Sequence, residues 1–108
     1  MQKLSLPKIL IVDDIPENLI SLESILEDLD AEVIKANSGQ EALGYVLDHT
    51  FALILLDVQM PEMNGFEVAR FLRSIEKTKY TPIIFLTAIA KEEKYLFKSI
   101  KLSSSSMT

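Results

Sequence analysis

Four residues with chemically useful side chains each follow a short apolar run. Asp13 and Asp14 come directly after Ile9-Leu10-Ile11-Val12, Asp57 after Leu53-Ile54-Leu55-Leu56, and Thr87 after Ile83-Ile84-Phe85-Leu86. If those runs are neighbouring strands, three carboxylates and a hydroxyl meet at one edge. Carboxylates sharing a pocket repel, and a hard divalent cation with oxygen ligands relieves the repulsion. Magnesium suits the set: it takes octahedral oxygen coordination, keeps several waters, and needs only two or three carboxylates plus a backbone carbonyl. A coordination position then remains for a phosphoryl oxygen. Any one of these acids alone reads as a helix cap or turn residue, and Thr87 alone as a strand hydroxyl bonded to backbone. Their convergence outweighs those readings. Met60-Pro61 and Gly65 after Asp57 sharpen the combination, although singly they serve loop packing, turn geometry and helix entry.

The elements that must position these residues are legible in the hydrophobic pattern. The three apolar runs are bounded by polar or breaker residues, as in strands buried on both faces, and Val33-Ile34-Lys35-Ala36 reads as a fourth, more exposed strand. Between them lie helical periods. Leu19, Leu22, Ile25, Leu26 and Leu29 form one apolar face, with Pro16 in the first turn and Glu17 near the helix N-terminus. Ser38-Gly39-Gln40-Glu41 has capping-box spacing and opens a helix through Ala42, Leu43, Val46 and Leu47, in which Gly44 costs up to about 1 kcal/mol relative to alanine. Phe66, Ala69, Arg70, Leu72, Arg73 and Ile75 mark a third helix after Gly65. Regular β-α alternation predicts a parallel sheet with helices on both faces and right-handed crossovers. In such open sheets the site lies outside the carboxyl ends of the strands, where Asp13, Asp14, Asp57 and Thr87 fall.

Composition removes most competing chemistry. The 108 residues hold no cysteine and one histidine, His49, which excludes disulfides, thiol catalysis and the usual transition-metal clusters. With 48% apolar and 25% charged residues the chain reads as one globular domain without a membrane span or signal peptide, expected in the cytoplasm. A net charge of −5 opposes binding to a phosphate backbone. The charge is uneven, −10 over residues 1–67 and +5 over 68–108, and most of it reads as solvated helix surface. Arg70, Arg73, Lys77 and Lys79 belong to that reading, and His49 reads as a surface or loop-edge residue.

Val12-Asp13-Asp14, the stretch Leu56-Asp57-Val58-Gln59-Met60-Pro61-Glu62-Met63-Asn64-Gly65-Phe66-Glu67, and Pro82-Ile83-Ile84-Phe85-Leu86-Thr87-Ala88 resemble the receiver domain of two-component response regulators, over residues 8–98. The resemblance implies an α/β fold, a flavodoxin-like doubly wound parallel sheet with strand order 2-1-3-4. It also implies that Asp57 is the phosphoacceptor, Asp14 a direct Mg2+ ligand, Asp13 a ligand acting largely through water, and Gln59 a ligand through its backbone carbonyl. Thr87 would be the switch hydroxyl. The donor would be a phosphohistidine on a sensor histidine kinase or phosphotransfer protein, or a small phosphodonor. No nucleic acid or membrane partner is implied for this segment.

The family also places a lysine at the end of a fifth strand, in a stretch resembling Asp-Tyr-Leu-Phe-Lys-Pro, and closes with a fifth helix. Only 21 residues follow Thr87 here. Tyr95-Leu96-Phe97-Lys98 mimics the lysine motif, yet ten residues separate Thr87 from Lys98, and a parallel crossover with its helix takes at least ~10–12. The expectation is therefore that the fifth strand and helix are missing, that Glu92 to Leu102 forms a fourth helix, and that Lys98 is a solvated helix residue. A less favoured reading leaves Lys98 beside the pocket on a rearranged strand. The receiver would span residues 1–102, followed by a serine-rich tail, 103–108. Loss of the fifth strand would leave the Ile83-Leu86 strand as an open edge, inviting self-association.

Three other functions are weighed. A phosphatase of the haloacid dehalogenase kind needs Asp two residues after its nucleophile, where Gln59 cannot shuttle a proton, so no turnover enzyme is expected. A flavodoxin-like cofactor binder needs a phosphate cradle after the first strand, where Asp13 and Asp14 would repel phosphate. A phosphorylation-incompetent receiver acting as an interaction module is the main alternative.

Overall fold

A computed structural model describes residues 5–87 and 99–102. Strand β1 (Lys8–Val12) leads through helix α1 (Pro16–Leu26) to β2 (Glu32–Ala36), then α2 (Gly39–Asp48), β3 (Leu53–Asp57), α3 (Gly65–Ser74), β4 (Ile83–Thr87) and β5 (Ser99–Leu102). The sheet runs β2-β1-β3-β4-β5. Its first four strands are parallel, in the expected order 2-1-3-4. Among the described residues no helix is long and apolar enough to cross a membrane.

The central strands are apolar at successive positions because both faces are covered. Leu10, Val12, Ile54, Leu56, Ile83 and Phe85 pack with Ala42 and Val46 of α2 and with Val68 and Leu72 of α3. The alternate residues Ile9, Ile11, Leu55 and Leu86 meet Leu19, Leu22 and Leu26 of α1. Each such large aliphatic side chain, fully buried, contributes roughly 1.5–3 kcal/mol.

Local signals set the helix ends. Pro16 occupies the first turn of α1. Ile25, assigned to the buried face of this helix, is 61% exposed instead. At about 100° per residue it lies about 120° around the axis from Leu19, on a flank the sheet does not reach. Leu29 falls beyond the helix and is also exposed. At α2, Ser38 Oγ accepts the Glu41 N–H at 3.0 Å, but Glu41 reaches back to the Asn37 N–H rather than closing the box on Ser38. Helix α3 has the complete box: Asn64 Oδ1 accepts from Glu67 N–H, and Glu67 Oε1 accepts from Asn64 N–H, both at 2.9 Å.

One surface reading is corrected, and another gains contacts. Arg73 turns back from α3, and its Nη1 donates to the carbonyls of Thr78, Lys79 and Thr81 at 3.3, 3.1 and 2.7 Å. Partial burial pushes its guanidinium below the usual arginine value. With the buried Thr78 hydroxyl donating to Leu72 O at 2.6 Å, it fastens the connection into β4. His49 is half-buried between the rings of Tyr45 and Phe51, and its Nδ1 lies 3.0 Å from Lys8 Nζ.

The C-terminal expectation fails at Ser99–Leu102, which is strand, not helix. Strand β5 pairs antiparallel to β4, with Thr87 opposite Ser99 and Ile84 opposite Leu102. The short connection forbids a parallel crossover with its helix but allows an antiparallel return, and Ser99-Ile100-Lys101-Leu102 alternates polar and apolar as a strand does. The open β4 edge is thereby paired, which removes the premise for self-association through that strand. Lys98, the rest of the expected helix and the serine-rich tail lie outside the described residues.

A Cβ added at Gly44 meets nothing within 4 Å, so Gly44→Ala is expected to stabilise the chain by up to about 1 kcal/mol in urea denaturation. Arg73→Ala is expected to destabilise it by about 2 kcal/mol in the same measurement, because the three loop carbonyls lose a charged donor.

Candidate functional site

Strand register brings the acids together. Val12 pairs with Leu56, so Asp13 and Asp57, each one residue further on, stand side by side at the carboxyl end of β1 and β3. Side chains alternate along a strand, which sends both carboxylates to the same face. Asp14 starts the connection to α1 and completes the group: one ligand oxygen from each of Asp13, Asp14 and Asp57 lies within 4.8 Å of the others. Thr87 ends β4, one residue past Leu86, the register partner of Asp57. The structure therefore brings all three predicted acids together and puts Thr87 at the same end of the sheet. Lys98 lies outside the described residues.

Asp13 and Asp57 are almost completely buried, and buried charge requires hydrogen bonds or a counter-charge. Asp13 Oδ1 accepts the Ile15 N–H at 2.9 Å, and Asn18 Nδ2 approaches both carboxylate oxygens at 3.3 and 3.2 Å. The turn-residue role open to an isolated strand-end acid is thus realised at Asp13 alongside its place in the cluster. Asp57 Oδ1 accepts the Gln59 N–H at 3.2 Å, which folds the chain over the acid and sets the Gln59 backbone at the site. Asp14 Oδ1 is buried with no hydrogen-bond partner among the described residues. An orphaned anionic oxygen beside two further carboxylates is the donor set that a hard divalent cation takes, so the residues present fit Mg2+.

The loop after Asp57 is held tightly. Val58 N–H donates to Leu86 O at 3.1 Å, and Gly65 N–H donates to Val58 O at 3.0 Å. Glu62 adopts φ 69°, with the Met63 N–H bonded to Pro61 O at 2.6 Å across it, a strained three-residue turn. Gly65 is glycine because of close approach. A Cβ there would run into the Asp57 carbonyl oxygen and come within 3.0 Å of Val58 Cα. Sequence reasoning assigned Gly65 to helix entry and passed over Asn18. The available signal for Asn18 was an amide in the first turn of a helix that directly follows an acidic strand end.

A model of the response regulator receiver domain matches residues 9–106 of this chain. The chain belongs to that family. The sensor protein GacS of Pseudomonas syringae pv. syringae is 39% identical over 98 residues, covering 86% of this receiver domain and 11% of GacS. The chain therefore spans only about a tenth of the length of that curated relative. The chemotaxis protein CheY4 of Vibrio cholerae superposes with a TM-score of 0.75 at 36% identity, over 84% of this chain and 76% of that one. The response regulator TrrA of Thermotoga maritima, solved in complex with Mg(2+)-BeF, gives 0.71 at 34% identity, over 83% of this chain and 76% of TrrA. Receiver domains are phosphoacceptor signalling modules of two-component systems, not turnover enzymes, and the inert-module alternative is not favoured.

In this receiver domain, Gly65→Ala is expected to cost roughly 1–3 kcal/mol in urea denaturation, because backbone rather than a flexible side chain must yield to the new methyl. It is also expected to weaken Mg2+ binding in calorimetric titration, since the carbonyl it displaces belongs to Asp57.

Proposed function

We propose that Asp57 accepts a phosphoryl group from a phosphohistidine on a sensor histidine kinase or phosphotransfer protein, or from a small phosphodonor, with Mg2+ as cofactor. The observation that carries this reading is the gathering of Asp13, Asp14 and Asp57 at the carboxyl edge of the parallel sheet. One Asp57 carboxylate oxygen attacks phosphorus in line. An O–P bond forms as the P–N bond to the donor imidazole breaks, and the imidazole leaves with the electron pair and is protonated by solvent. Asp14 and Asp57 would hold Mg2+ directly, Asp13 through water, and Gln59 through its backbone carbonyl. The bound ion supplies neutralisation of charge on the phosphoryl oxygens. Thr87 is assigned the switch role, its hydroxyl donating to a phosphoryl oxygen at the end of β4.

The proposed receiver unit spans residues 1–102, with 103–108 as a serine-rich tail, in a cytoplasmic protein. The net charge of −5 supports a protein partner rather than nucleic acid. No residue is assigned the lysine role.

Intact mass after incubation with a small phosphodonor tests the reading. The wild type is expected to gain one phosphoryl group only when Mg2+ is present, and Asp57→Asn to gain none. No gain by a wild type that still binds Mg2+ would reinstate the interaction-module alternative.

A further inference from the structure

We propose that Asn18 is a positioning residue for the cation site, acting through Asp13. The inference rests on the reading that the acid cluster binds Mg2+. Asp13 is fully buried, and Asn18 Nδ2 reaches its two oxygens at 3.3 and 3.2 Å while the Ile15 N–H holds Oδ1 at 2.9 Å. A carboxylate's terminal torsion is intrinsically broad and roughly two-fold, so a donor at one oxygen alone does not fix the plane of the group. Donors at both oxygens fix the plane of the group.

The helix itself has no need of this side chain. Asparagine is a weak helix former, and the Asn18 N–H is already bonded to the Ile15 carbonyl at 3.0 Å. The N-cap residue Ile15 makes no side-chain cap, and the Asn18 amide turns away from the helix backbone toward the end of β1. What it does instead is spend amide donors on a buried charge in the cation cluster. With the plane of its carboxylate fixed, Asp13 would present one orientation to a bound cation, as suits a carboxylate that acts through an intervening water. Loss of a partner of this kind typically weakens metal affinity by about 10–100-fold.

Calorimetric titration of Mg2+ into the full chain, as wild type, Asn18→Ala and Asn18→Leu, tests the assignment. Leucine keeps the branched shape of asparagine without a donor and guards against collapse of the first turn. Both variants are expected to bind Mg2+ about tenfold more weakly, at the lower end for outer partners of metal ligands. Their cation-free thermal midpoints should fall modestly, since a buried carboxylate loses a donor, while both variants stay folded at the titration temperature, and phosphoryl uptake lost at low Mg2+ should return at saturating Mg2+. Wild-type affinity in both variants overturns the inference and leaves the Asp57 reading standing. Weaker binding that merely tracks the fraction of unfolded chain at the titration temperature overturns it as well, because Asn18 would then only support the fold of α1. If the wild type takes up no Mg2+, the reading of the acid cluster itself fails.

Discussion

Two carboxylates are buried side by side at the end of a parallel sheet, and the arrangement around them answers that cost. Leaving an ionised carboxylate in an apolar interior without partners is prohibitive, and placing two together adds repulsion. The chain responds with backbone and amide donors: Ile15 N–H and Asn18 on Asp13, and Gln59 N–H on Asp57. Those donors come from the first turn of α1 and from the β3–α3 connection, so the entry angles of both segments are tied to the acids. The remaining imbalance, centred on Asp14 Oδ1, is electrostatic and calls for a cation.

Much of this was legible in the sequence because the relevant signals are local. An apolar run followed at once by Asp needs no tertiary information, and parallel register follows from β-α alternation, so the meeting of Asp13, Asp14 and Asp57 could be expected before any coordinates. Two features were not legible, for different reasons. Asn18 and Arg73 look like ordinary polar helix residues, and only the turn of each side chain back toward a strand end or loop reveals their roles. Gly65 carries no positive φ to betray it; its need for a bare Cα comes from the Asp57 carbonyl, eight residues earlier in the chain and brought against it by the fold, not from local propensity.

The C-terminal strand shows how a sound length argument can lead to an incomplete answer. The connection after Thr87 is too short for a helix-bearing crossover, which correctly disfavours a parallel fifth strand. Helical periodicity and strand alternation both fit a short apolar-polar mixture such as Ser99–Leu102, and propensity alone does not separate them. The deciding quantity is non-local: β4 would otherwise present a row of backbone donors and acceptors without partners, and antiparallel pairing satisfies them.

The peptide groups flanking Val58 have a mechanical consequence. The Val58 N–H is fastened to β4 at Leu86 and its carbonyl to the first residue of α3, so one residue beside Asp57 ties a strand end to a helix start. The loop between them therefore has little slack with which to absorb movement. A displacement of the β4 terminus would be passed along as a tug on the opening turn of α3, much as a taut link carries a pull that a loose one would lose.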